Sequence, residues 1–201
     1  MKRYIPDNWE VATVAQNPLC SFIKPGVECF ETKTYLATAD INNTSIGEGN
    51  KINYSTRESR ANMQPVLLSV WFAKMKNSIK HIFINKELLP LMNEAILSTG
   101  FCGLQCSEIS FEYIASFIQD ANFERLKDIY AHGATQEAVN NDDLDGIYLL
   151  IPDQETLIKY HNLISPMFAS FNKNIEENAR LSTLRDWLLP MLMNGQVTIA
   201  D

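Results

Sequence analysis

From Asp153 onward, apolar residues recur in steps of three and four, and no glycine intervenes before Gly195. The series runs Leu157, Tyr160, Ile164, Phe168, Phe171 and Ile175, then Leu181, Leu184 and Leu188. Steps of this size follow one face of an α-helix, with Asn178 as a polar interruption of the seam. Pro152 precedes Asp153, Gln154 and Glu155, an acidic start that complements the helix dipole. Asn194-Gly195 is a stop signal. Pro166 falls in mid-pattern and predicts a kink or a fresh start there. Unbroken, residues 153–188 would span about 54 Å at ~1.5 Å per residue. The rest of the chain is too small to bury a helix of that length. The reading is an α/β head, residues 1–152, and a helical stalk, residues 153–201. The stripe is too long and too apolar to be left in water, so the stalk is expected to self-associate.

The head shows mixed signals. Val27–Tyr35, Trp71–Ala73 and His81–Asn85 carry β-branched and aromatic residues that suit strands. Residues 42–55 are rich in Asn, Gly and Ser and predict a loop, or a hairpin around Gly47 and Gly49. Lys86–Ser98 has helical spacing, Phe111–Tyr130 predicts one or two helices, and Ile147–Ile151 reads as a buried strand. The longest nearly apolar run, Pro65–Ala73, is under half of a membrane span of roughly 20 residues. Pro6, Asp7 and Asn8 stand where a signal peptide needs an apolar stretch. A cytoplasmic protein is expected, with Cys20, Cys29, Cys102 and Cys106 as reduced thiols.

Chemistry-bearing constellations are missing from the sequence. Ile46-Gly47-Glu48-Gly49-Asn50 lacks the third glycine and the strand-to-helix context of a dinucleotide loop. The histidines His81, His132 and His161 are isolated. Asp142, Asp143, Asp145 and Gly146 resemble part of a calcium loop but lack its closing Glu. No cofactor, no metal and no catalytic role are expected.

What remains is binding. The net charge is −7, yet the charge divides along the chain. Between Arg57 and Pro90 six basic residues face two acidic ones, a local sum of +4. From Asp120 to Glu155 nine acidic residues meet only Arg125 and Lys127, a sum of −7. Affinity for a polyanion follows the field of the contacting face rather than the total. Lys74, Lys76 and Lys80 follow a predicted strand and are candidates for phosphate contacts. Arg57, Arg60, Asn62 and Gln136 are candidates for base contacts, since Arg reads guanine and Asn or Gln reads adenine in the major groove.

The short motifs fall in a recognisable order. Tyr35-Leu36-Ala37-Thr38-Ala39-Asp40, Ser59-Arg60-Ala61-Asn62-Met63, Trp71-Phe72-Ala73-Lys74-Met75, Ser98-Thr99-Gly100-Phe101 and Gly133-Ala134-Thr135-Gln136 are followed by Ile151-Pro152 with Glu155. The series ends in Leu184-Arg185-Asp186-Trp187-Leu188-Leu189-Pro190-Met191-Leu192-Met193-Asn194-Gly195. In this order the chain resembles the specificity subunit of type I restriction-modification enzymes, at half length. The resemblance implies a target-recognition domain that reads one half of a bipartite site in double-stranded DNA. It also implies a conserved helix that acts as spacer and docks methyltransferase subunits, with a restriction subunit as a further partner, and no catalysis in the chain itself. A full subunit has two recognition domains and two helices. Two copies paired as an antiparallel coiled coil, through Leu157, Ile164, Phe168, Phe171, Ile175, Leu181, Leu184 and Leu188, would restore that arrangement and make the site palindromic. The residues leave two other readings open: an adaptor whose stalk assembles partners, and the recognition part of a fused nuclease-methyltransferase. Because base-reading residues must differ between subunits of different specificity, Arg57, just outside the S-R-A segment, is the preferred base contact.

Overall fold

The computed structural model describes residues 4–195; residues 1–3 of the expected head and 196–201 of the expected stalk lie outside them. The head is a mixed α/β structure of three layers, followed by one long helix. One layer is a four-stranded sheet in the order β2-β11-β8-β9. Its strands are β2 (Cys20–Phe22), β8 (Ser69–Ala73), β9 (His81–Ile84) and β11 (Phe101–Cys106), all antiparallel. The second layer is a sheet in the order β6-β3-β10-β7. It is formed by β3 (Lys33–Leu36), β6 (Asn50–Ile52), β7 (Ala61–Met63) and β10 (Ala95–Ser98), with β3 and β10 parallel. The third layer is helical: α2 (Phe111–Gln119), α3 (Ala121–Tyr130) and the first half of α4 (Gln154–Met193). Two small ribbons complete the head, β1 (Glu10–Thr13) with β12 (Tyr148–Ile151), and β4 (Ile41–Asn42) with β5 (Ser45–Ile46).

Strand β8 shows how the layers are sorted. All five of its residues are buried, and because side chains alternate across a strand, each face must find its own partner. Val70 and Phe72 join the cluster under the helices, with Phe83, Leu104, Phe111, Ile118 and Phe123. Trp71 and Ala73 point the other way, into the cluster between the sheets, with Leu36, Met63, Ile82, Leu97 and Phe101. The Trp71 indole donates to Ser69 Oγ at 2.7 Å and lies flat over Gly103, its cross-strand partner. A Cβ at Gly103 would stand 2.4 Å from the ring.

Several local expectations change. Lys86–Ser98 is helical only as far as Glu94, through a short turn and α1 (Leu89–Glu94). Ala95–Leu97 then extend to pair with Thr34–Leu36, because a strand slot between β3 and β7 buries Ala95, Ile96 and Leu97 completely. The hairpin in 42–55 turns at Asn43, with φ of 55°, rather than at Gly47 or Gly49. Phe111–Tyr130 forms two helices, and Asp120 caps the second by accepting from Asn122 N at 2.8 Å.

The long helix is continuous. It starts at Gln154 with Asp153 as N-cap, which accepts from the Thr156 amide at 3.0 Å and its hydroxyl at 2.7 Å. It passes through Pro166 without restarting; packing on the head supplies what the lost backbone bond would have given. The expected division at residue 152 is not where packing ends. Leu157 and Phe168 belong to the head core, with Ile164 and Phe171 packed against it. Phe168 meets Phe83 edge-on at 5.6 Å and Phe111 at 6.0 Å. Polar contacts hold the same seam: Tyr160 donates to Ser116 at 2.8 Å, and His161 Nδ1 lies 2.8 Å from Glu112 Oε2. Asn172, fully buried, donates to the Phe83 carbonyl at 2.7 Å. That carbonyl lies on the open edge of β9, so the helix also covers a strand edge.

The self-association expected of Phe168 and Phe171 is therefore corrected: these side chains fill the head's own core. Phe168→Ala should destabilise the chain by about 3–5 kcal/mol through loss of a buried aromatic. Urea unfolding followed by circular dichroism checks this, and a loss below about 1 kcal/mol would contradict the packing.

Candidate nucleic-acid interface

Five of the seven resembling motifs, those between Tyr35 and Gln136, meet at one end of the two sheets. There β8 and β3 leave their sheets, β9 enters, and β10 turns into β11. Backbone bonds stitch these loops together. Thr99 N donates to Arg60 O at 2.9 Å, Lys74 N to Gly100 O at 2.9 Å, Val139 N to Lys74 O at 3.0 Å and Lys76 N to Glu137 O at 3.0 Å. The Lys80 ammonium donates to Thr38 O. Gly100 sits against the Thr38 methyl, where a Cβ would approach to 2.9 Å. Motifs up to 100 residues apart in sequence thus form one hydrogen-bonded surface.

Within this surface the candidate residues have different roles. Arg60 is exposed, and its carbonyl accepts from both Thr99 and Asn62. Lys74 is half-buried at the root of the β8–β9 hairpin. Lys76 pairs with Glu137 at 2.8 Å, both half-exposed. Such a pair is worth roughly 0–1 kcal/mol, so the ammonium can exchange partners at little cost. Gln136 is exposed, with its amide nitrogen 3.4 Å from Met75 Sδ. Lys80 is turned inward onto Thr38, a tether rather than a free cation.

Arg57 and Asn62 stand further back. Arg57 donates to Ala61 O at 3.2 Å and Tyr54 O at 3.1 Å, and its guanidinium lies 4.2 Å above the Tyr54 ring. Nε and Nη1 of the preferred base contact hold the turn before β7. Asn62 lies within β7, and its carbonyl accepts from Gly26 at 2.8 Å.

Sequence reasoning missed the buried charges beneath the hairpin. Lys127 on α3 is fully buried. Its Nζ donates to Ser78 O at 2.9 Å and Ala73 O at 3.2 Å and lies 2.6 Å from Glu124 Oε2. The other Glu124 oxygen is 2.7 Å from His81 Nε2. Burial pushes the Glu124 carboxyl up, but the bonds from His81 and Lys127 outweigh it, and the group titrates below its ordinary range. No spacing in the sequence signals this trio, because His81 on β9 and Glu124 on α3 are 43 residues apart. The division of charge by segment is also not a division by face: Lys76–Glu137 and His81–Glu124 join the two segments directly.

Among the described residues no cluster of His, Cys, Asp or Glu is placed to hold a metal ion, and no helix is long and apolar enough to cross a membrane. The four cysteines are free thiols. Burial pushes Cys102 up to about 12 and Cys106 higher still, and it raises Cys20, so these three are poor nucleophiles at neutral pH.

No family model matches the chain. It is 32% identical over 69 residues to the type I restriction enzyme MjaIX specificity subunit of Methanocaldococcus jannaschii, covering 34% of this chain and 16% of that one. It is 30% identical over 91 residues to the HindI specificity subunit of Haemophilus influenzae, covering 45% and 20%. Among solved structures, a chain from work on complex assembly and conformational transition of the type I R-M system superposes with a TM-score of 0.64 at 17% identity, covering 97% of this chain and 50% of that one. The HsdS subunit of Thermoanaerobacter tengcongensis gives a TM-score of 0.58 at 17% identity, covering 95% and 49%. The chain is thus similar in sequence to type I specificity subunits and has their fold, spanning about half the length of the solved chains and a smaller part of the curated relatives.

Glu124 sets a pH dependence. A carboxyl whose folded pKa is depressed contributes stability that is complete above the unfolded pKa and is lost as pH falls through the folded one. Glu124→Gln leaves Lys127 uncompensated and should cost about 3–5 kcal/mol at neutral pH. The gap between variant and wild type should begin to narrow at about pH 4, where the carboxyl of the unfolded chain protonates, and close as pH falls on through the depressed value of the folded group. Urea unfolding across that range measures it; a gap that widens on acidification would reverse the assignment.

Proposed function

We propose that this chain is a non-catalytic, sequence-specific DNA-binding specificity subunit of a type I restriction-modification system, reading one half of a bipartite site and docking methyltransferase subunits. The observation that carries the reading is the convergence of five of the seven resembling motifs on one end of the head, together with sequence similarity to two type I specificity subunits. Phosphate contacts position a protein and base contacts specify. Lys74 and Lys76 suit the first role, one rooted in the framework and the other in an exchangeable surface pair. Arg60 and Gln136, exposed on adjoining loops, suit the second.

The helix supplies the other half of the reading. Beyond the head, Leu181, Leu184, Trp187, Leu189 and Leu192 are about half exposed. In water that stripe leaves apolar surface uncovered, whereas an antiparallel second copy buries it. A pair of heads related by a two-fold axis reads a palindrome with half-sites set apart by the paired helices.

Selection of duplexes from a random-sequence pool by the purified chain, with and without methyltransferase subunits, tests the DNA reading; no enriched motif in either condition would sink it. Lys76→Ala should weaken binding to all sequences and lower the slope of log K against log salt by about one unit. Binding measured across a salt series decides this, and an unaltered slope removes Lys76 from the interface. For the stalk, Leu184→Asp with Leu188→Asp should leave the head folded and shift sedimentation to the monomer. An oligomer that persists in this variant places self-association elsewhere.

A further inference from the structure

Helix α3 holds the lysine hairpin from beneath at three points. Lys127 binds the carbonyls of Ala73 and Ser78, at the two roots of the loop. Asp128, the next residue, accepts from the Asn77 amide at 3.0 Å at its tip, where Asn77 has a φ of 55°. Glu124, one turn earlier, neutralises Lys127 and reaches His81 where the chain re-enters the sheet. Burying an ion pair is a poor way to gain stability, since well-packed apolar residues of similar volume are often as good or better. A buried ammonium does, however, fix the direction of the carbonyls around it, which an apolar side chain cannot do. Two loop carbonyls and one loop amide are thereby held to a rigid helix.

We infer that Lys127 and Asp128 are positioning residues for sequence reading: they impose the conformation of the 74–80 hairpin, to which the loop carrying Gln136 is bonded through Lys74, Met75 and Lys76, and touch no DNA themselves. The inference rests on the DNA reading proposed above. Lys127 is fully buried, out of reach of any ligand. Asp128 carries the wrong sign for a phosphate contact, so removing it takes away repulsion rather than attraction. The role separates two quantities that a lost phosphate contact would lower together. Non-specific affinity should stay level or rise when Asp128 loses its charge, while preference for the cognate sequence should fall. Global destabilisation moves neither in this way, because an unfolded fraction scales both affinities alike and leaves their ratio unchanged.

The test uses the full chain, the duplex it enriches from a random pool, and a scrambled duplex of equal length at fixed salt. Asp128→Ala should lower the ratio of the two affinities at least tenfold with scrambled-duplex binding undiminished. Hydrogen exchange should show the amides of Lys76 and Asn77 losing protection while those of β10 and β11 keep theirs. The double variant Glu124→Gln/Lys127→Met, which removes both buried charges at once, should act in the same direction; if it does not fold, Asp128→Ala decides alone. A ratio in Asp128→Ala equal to that of the wild type overturns the inference. A wild-type chain that enriches no motif overturns the DNA reading itself, and the two failures are told apart by whether the wild type discriminates.

Discussion

The seating of α4 on the head is the contact on which the rest of the arrangement depends. Phe168 lies between Phe83 of one sheet and Phe111 of a helix, and Asn172 takes the free carbonyl of the β9 edge strand. The aromatic contacts add roughly 0.5–1.5 kcal/mol per edge-on pair beyond area burial. The amide bond supplies register, because a buried side-chain amide that slips by one residue loses its partner and keeps its desolvation cost. A helix of 40 residues fixed in this way is a lever with one end rigid in the head. Its free part cannot swivel unless the core opens.

The same layer of helices governs the opposite surface. Helix α2 packs under β8 and carries the Glu112 that meets His161, while α3 carries Glu124, Lys127 and Asp128, which shape the hairpin. The head therefore has one structural layer serving two ends. Its apolar face, with the Glu112–His161 contact, orients the stalk, and the buried ions of α3 orient the loop that carries Lys74 and Lys76. An apolar layer tolerates changes of shape at constant volume, whereas an ion network tolerates little. The chain accordingly uses packing where only rigidity is needed and charge where direction matters.

The long helix was legible from its period and caps, as were the strands β8 and β9. The strand β10 was not, because Leu91, Met92, Ala95 and Ile96 satisfy a helical period until Ala95–Leu97 are offered a slot beside β3. Burial on both faces removes the alternation by which a strand is recognised. The candidate surface was legible as a set of motifs, because their turn residues are visible locally. Its division of labour was not. Whether Arg57 faces solvent or Tyr54, and whether Lys80 is free or tethered to Thr38, depends on backbone carbonyls supplied by neighbouring loops. The buried Lys127 enters the sequence reading only as one basic residue in an acidic segment, since nothing in an isolated helix tells an exposed lysine from one capped by two carbonyls of another element.

The stripe on α4 contained its own correction. Between Leu157 and Ile175 the steps are three and four, as one face requires, but the next member, Leu181, comes six residues on. At 3.6 residues per turn, six residues amount to about 600°, which places Leu181 roughly 120° around the helix from Ile175. The gap marks a change of face and not a continuation. The structure follows it: the series up to Ile175 looks toward the head, while Leu181 and Leu184 look away and are about half exposed. Asn178, read as a polar interruption of one seam, falls in the changeover, and the polar residue that belongs to the seam is Asn172. Two stripes rotated by a third of a turn allow one helix to serve two contacts without competition. The first is filled by the head, so a partner helix that takes the second lies alongside the stalk, clear of the surface where Phe83 and Phe168 meet.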